Sequence, residues 1–175
     1  APKIFRCSAN FLSSPLPQGP KDGYLTPSDA PGFGLEITQD WMTWTMKYMI
    51  CPLPWPSFAM YPLVVQGMGA EAVTVPLTDD MQHDLAGLAK AAHEGAKMVF
   101  LCNPNNPTGT SFGADALAEF VASIPEDVIL VIDEAYCEYA ARPDFPDSLA
   151  LIAERPATLA LRTFSKIYGL AGLRV

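Results

Sequence analysis

Four short apolar runs, separated by stretches of helical periodicity, constrain this chain more than any other feature. They are "AEAVTVPL" (residues 70–77), "AKMVFLCN" (96–103), "DVILVIDEAY" (127–136) and "ATLALRTFS" (157–165). Their lengths suit strands, and "AKMVFLCN" reads as one buried on both faces. Between the first two, "HDLAGLAKAAHEG" (83–95) sets Leu85, Leu88, Ala89 and Ala92 on one helical face, with Gly95 as a stop. "ADALAEFVASI" (114–124) turns Leu117, Phe120, Val121 and Ile124 inward, and "DSLALIAER" (147–155) is a short helix capped by Asp147. Strand, helix, strand repeated in this way implies βαβ units. The expected class is α/β, a mostly parallel sheet flanked by helices on both faces.

Upstream the texture differs. Residues 1–53 are crowded with Pro, Gly, Ser, Trp and Met and show no sustained period, so this segment is read as loop-rich and unassigned, and 54–175 as the organised domain. The chain carries a net charge of −8 with only eleven Lys and Arg, scattered, which argues against nucleic-acid binding. No apolar run is long enough to span a bilayer, and no secretory leader is expected. The four cysteines form no C-x-x-C pair and there are two histidines, so no zinc-like set can be drawn. Cys102 and Cys137, in or beside apolar runs, fit buried thiols of a cytoplasmic protein. His83 and His93 are read as surface residues without a catalytic part.

Three of the runs end alike. Met98–Cys102 leads into "NPNNPTGT", Val128–Ile132 into Asp133 and "EAY", and Leu159–Leu161 into Thr163, Ser165 and Lys166. In open α/β sheets ligands bind beyond the carboxyl ends of the strands, so Asn106, Asp133, Tyr136 and Lys166 are expected to converge on one crevice. A lysine forms a Schiff base with an aldehyde, a carboxylate pairs with a protonated ring nitrogen, a phenol and an amide reach a ring oxygen, and hydroxyls with an arginine suit a phosphate. Those demands together describe pyridoxal 5′-phosphate, an electron sink for reactions at the Cα of an amino acid.

"NPNNPTGT", "DEAY" and "RTFSKIYGLAGLR" resemble the signature blocks of the class I/II, fold-type-I aminotransferases, and "WPSFAMYPLVVQGMGAEAVTVPLT" extends the likeness upstream. They resemble in particular the branch of histidinol-phosphate aminotransferase and its aromatic-amino-acid (phenylalanine) relative. The resemblance implies the central part of a pyridoxal-phosphate-binding large domain over residues 54–175. It implies Lys166 as the Schiff-base lysine and proton carrier, Asp133 as partner of the ring nitrogen, and Tyr136 and Asn106 as partners of the ring oxygen. Thr163, Ser165 and Arg174 would hold the phosphate, and Phe58 would stack on the ring. "GLAG" (169–172) is expected to let the chain turn close to the phosphate, and Asn103 and Asn105 to be turn residues. The resemblance also implies amino-acid and 2-oxo-acid substrates and a homodimer.

The chain departs from that family in places. No "GNGSDE"-like glycine turn occurs in residues 1–53, Tyr24 is a poor counterpart of the tyrosine lent to a neighbouring subunit, and the small domain with its carboxylate-binding arginine is not in the sequence. The reading is therefore a fragment of such an enzyme, with residues before about 51 out of frame. Such a piece would expose unpaired sheet edges and the dimer interface. Amino-group transfer competes with an inactive pyridoxal-phosphate-binding remnant and with a decarboxylase of a phosphorylated amino acid. A nicotinamide dehydrogenase is disfavoured because no G-x-G-x-x-G follows a strand.

Overall fold

Five parallel strands organise residues 49–173, the part of the chain that this computed structural model describes. They are β1 (Ile50–Trp55), β2 (Glu71–Pro76), β3 (Met98–Cys102), β4 (Ile129–Asp133) and β5 (Thr158–Leu161). The helices are α1 (Met60–Gly67), α2 (Leu85–His93), α3 (Ala114–Ser123) and α4 (Ser148–Glu154). β1 pairs with β2, and β3, β4 and β5 pair in that order. A single parallel bridge, Ile50 to Ala96, sets β1 beside β3, with Lys97 N donating to Ile50 O at 3.0 Å. The spatial order is therefore β2-β1-β3-β4-β5, an α/β sheet flanked by helices.

β1 shows why the bridge is solitary. Ile50 bonds toward β3, and strand parity turns Pro52 and Pro54 to the same side. Neither proline has an N–H to give, so the ladder to β3 stops and the other side alone, toward β2, is paired throughout. Those prolines also hid the strand from sequence reading. β1 starts at Ile50, inside the segment read as loop-rich and upstream of the expected boundary at residue 54.

The helices follow their patterns. Leu88, Ala89 and Ala92 of α2 are buried with Leu85 packed against them, and Leu117, Phe120 and Ile124 close the same core over Val99, Leu101, Leu130 and Ile132. Each fully buried Leu or Phe contributes about 1.5–3 kcal/mol relative to exposure. Asp147 caps α4 by accepting from Leu149 N at 3.1 Å and Ala150 N at 3.2 Å, as expected. Gly95 follows α2 at φ 95, a left-handed conformation that ends the helix.

α1 is an element the sequence did not announce. Tyr61 and Val65, one turn apart, face inward, while Met60, Leu63, Val64 and Met68 are exposed. An apolar surface all round leaves no helical stripe to read. Pro62 fits because it lies in the first turn, where no N–H is needed. His83 is a correction. It is not a surface residue but 7% exposed, its ring 5.7 Å from that of Phe112. Burial holds its pKa down at about 4, opposed by Asn105, yet among the described residues neither ring nitrogen makes a hydrogen bond. His93 is exposed and bonds Ser123 O at 2.9 Å.

Candidate functional site

The register of β3, β4 and β5 brings three strand ends flush. Cys102 lies opposite Asp133, and Asp133 opposite Leu161. Asn103 N then donates to Asp133 O at 2.9 Å and Glu134 N to Leu161 O at 2.8 Å, so the polar residues that follow leave the sheet at one level. The chain also reverses direction across the sheet between β1 and β3, so the carboxyl ends of those two strands open a crevice.

A cavity of about 460 Å³ occupies that edge. Phe58, Asn106, Asp133, Tyr136, Thr163, Ser165 and Lys166 all line it, together with Cys102, Ala135, Leu161, Arg162 and Ala171. Seven of the eight residues singled out from the sequence thus meet there. The eighth, Arg174, lies outside the described residues, as do residues 1–48.

Each side chain is held by local structure. Asn106 projects from the turn after β3, which is braced by two buried asparagines. Asn103 Oδ1 accepts from Phe112 N at 3.2 Å and its Nδ2 donates to Phe112 O at 3.3 Å. Asn105 receives Ser57 Oγ at 2.7 Å and donates to Pro56 O at 3.2 Å, which ties the turn to the loop carrying Phe58. Both are turn residues, as read, and both are nearly fully buried as fasteners as well. Tyr136 is half-buried and starts the 3-10 turn Cys137–Tyr139, with the Lys166 amine 5.3 Å from its ring centre. Thr163 Oγ1 accepts from Ser165 N at 3.0 Å, folding the hydroxyl-bearing loop. Gly169, at φ 65, reverses the chain just after Lys166, and Leu170 N returns to Phe164 O at 3.0 Å.

Asp133 is the most constrained group. Its Oδ1 accepts from Ala135 N at 3.0 Å and its Oδ2 from the Tyr61 hydroxyl at 2.6 Å. Tyr61 lies three residues after Phe58, stacks on Phe100 with centroids 5.1 Å apart, and meets Phe58 edge-on at 5.5 Å. Burial is the main cause that pushes the Tyr61 phenol far above its ordinary value, and Cys102 and Asp133 add to it. Burial likewise raises the Cys102 thiol, while Cys137 is only half-buried.

Glu134 was not singled out from "DEAY", yet it is 1% exposed. It accepts from Ser148 Oγ and, at 2.8 Å, from Arg162 Nε, whose pKa the hydrogen bond to Glu134 raises. This clamp joins the end of β4 to the end of β5 and to the start of α4. The signal for it was a second carboxylate, directly after Asp133 at the end of "VILVI", where an unpaired carboxylate is costly to bury.

Residues 51–175 match the family described as aminotransferase class I and II. An aromatic amino acid aminotransferase of Mycobacteroides abscessus is 54% identical over 121 residues, which cover 69% of this chain and 34% of that protein. A histidinol-phosphate aminotransferase 2 of Pseudomonas fluorescens is 51% identical over 119 residues, 68% of this chain and 32% of the other. Among solved structures, a histidinol-phosphate aminotransferase of Sinorhizobium meliloti in complex with pyridoxal-5′-phosphate superposes with a TM-score of 0.66 at 41% identity, over 72% of this chain and 34% of that one. The chain spans about a third of the length of the curated relatives it matches.

Proposed function

The chain belongs to the class I and II aminotransferases, and from that premise we propose that the protein moves an amino group between an amino donor and a 2-oxo acid with pyridoxal 5′-phosphate as cofactor. The donor is an aromatic L-amino acid or histidinol phosphate, the substrates carried in the names of its relatives. The observation that supports the reading most is the meeting of Asn106, Asp133, Tyr136, Thr163, Ser165 and Lys166 on one cavity beyond three flush strand ends.

The donor set fits that cofactor. A carboxylate with both oxygens already oriented, a phenol, an amide, two hydroxyls and an amine share a cavity of about 460 Å³, within the usual range of about 300–1,000 Å³ for small-molecule sites. When bound, pyridoxal phosphate supplies an electron sink for bond changes at an amino acid's Cα. Asp133 would pair with the ring nitrogen and keep it protonated. Tyr136 and Asn106 would hydrogen-bond the ring oxygen, and Phe58, which lines the same cavity, would pack on the ring. Thr163, Ser165 and Arg174 bind the phosphate. Lys166 Nζ would anchor the cofactor and, once displaced from it by the substrate amine, would carry the proton away from the substrate Cα.

The protein acts as a homodimer in the cytoplasm, where the thiols of Cys51, Cys102 and Cys137, free in this structure, stay reduced. No helix among the described residues is long and apolar enough to cross a membrane. The test is a side-by-side assay with L-phenylalanine, L-tyrosine and histidinol phosphate as donors and 2-oxoglutarate as acceptor. Glutamate formation with any of them, abolished in Lys166→Ala, supports the reading. Carbon dioxide release without glutamate would replace it with a decarboxylase, and cofactor binding without turnover would leave a binding remnant.

A further inference from the structure

Tyr61 is a buried phenol whose hydroxyl, among the described residues, makes one hydrogen bond, to a residue 72 positions away in sequence. The bond to Asp133 Oδ2 is 2.6 Å long, the ring is 6% exposed, and Phe100 and Phe58 hold it on two sides. Phenylalanine would fill the same space, so packing alone does not account for the hydroxyl. A short O–H bond to a carboxylate is among the stronger hydrogen bonds available, and at this burial it is poorly screened.

We propose that Tyr61 is the positioning residue for Asp133, resting on the cofactor site proposed above: its hydroxyl and the Ala135 N–H take one carboxylate oxygen each and fix the carboxylate plane at the cavity. A carboxylate has about four lone-pair directions, so these two bonds leave acceptor capacity for a ring N–H. Because burial keeps the Tyr61 phenol protonated well above neutral pH, it remains a donor and does not exchange the proton it gives to Asp133. The same ring meets Phe58 edge-on, so one buried side chain sets both the charge partner and the aromatic cover of the site. Asp133 does not need to find its orientation when the cofactor arrives, and that preorganisation appears as affinity.

The test measures pyridoxal 5′-phosphate dissociation by the visible absorption of the bound cofactor in wild type, Tyr61→Phe, Asp133→Asn and the double variant. Tyr61→Phe is expected to weaken binding about tenfold, equivalent to about 1.4 kcal/mol, and to shift the pH dependence of the absorption band. In the Asp133→Asn background the same change is expected to alter affinity less than about twofold, because the carboxylate it orients is gone. Equal weakening in both backgrounds would make Tyr61 a packing residue and overturn the inference, as would a Tyr61→Phe variant that binds like wild type. A wild-type chain that takes up no cofactor overturns the proposed site itself, and this inference with it.

Discussion

His83 gives the protein a specific weakness to acid. The residue is 7% exposed, packs near Phe112, and among the described residues has no hydrogen bond at either ring nitrogen, so burial holds its pKa down at about 4, against an ordinary value of 6.5. The unfolded chain therefore binds a proton over a range in which the folded chain does not. Stability is fully present above about pH 6.5, falls as pH drops from 6.5 toward 4, and levels off below. At about 1.4 kcal/mol per pH unit the ceiling is about 3 kcal/mol, and between pH 7 and pH 4.5 about 2 kcal/mol of it is spent. The perturbation is His83→Leu, which keeps an apolar side chain of similar size. Urea melts at both pH values are the assay, and 2 kcal/mol moves the midpoint by about 1 M for a slope of about 2 kcal/mol per molar. Carboxylate titration lowers both proteins alike, so the signal is the difference between them. Between pH 7 and pH 4.5 the variant should lose about 2 kcal/mol less stability than wild type. If both lose the same stability between the two pH values, the buried imidazole is not the acid-sensitive element and the reasoning fails.

Arg162→Met removes the one cation that, among the described residues, bonds the 1%-exposed Glu134, leaving it Ser148 Oγ. Water reaches the half-exposed Arg162 side, which discounts the loss, and a destabilisation of about 2 kcal/mol is expected in thermal melts. Adding Glu134→Gln should recover part of it. Gly169→Ala forces a Cβ onto φ 65, at a cost of about 1 kcal/mol, and should slow cofactor uptake at Lys166 more than it lowers the melting temperature, because the turn sets where the lysine sits.

Local signals carried much of this fold. The four apolar runs became β2 to β5, with β4 and β5 about half the quoted stretches because pairing stops where polar residues begin. The helical faces of α2 and α3 were legible because one stripe is buried, and Asp147 because capping is local. What was not legible depends on partners distant in sequence. β1 carries two prolines that a strand tolerates only where the adjoining ladder lapses, and nothing in "ICPLPW" tells which side that is. α1 is apolar on every side, so its Tyr61–Val65 stripe could not be separated from Met60, Leu63 and Val64. Polar residues at strand ends announced the site, because three runs ended alike. The bonds from Tyr61 to Asp133 and from Arg162 to Glu134 did not announce themselves, since each joins separate elements.

The central claim is that the residues around Lys166 form a working cofactor crevice. The direct measurement is to incubate the purified chain with pyridoxal 5′-phosphate, reduce with borohydride, and map the labelled peptide by mass spectrometry. A label confined to Lys166, and lost in Asp133→Ala, is the predicted result. A label spread over Lys90, Lys97 and the remaining lysines, or none at all, would contradict it.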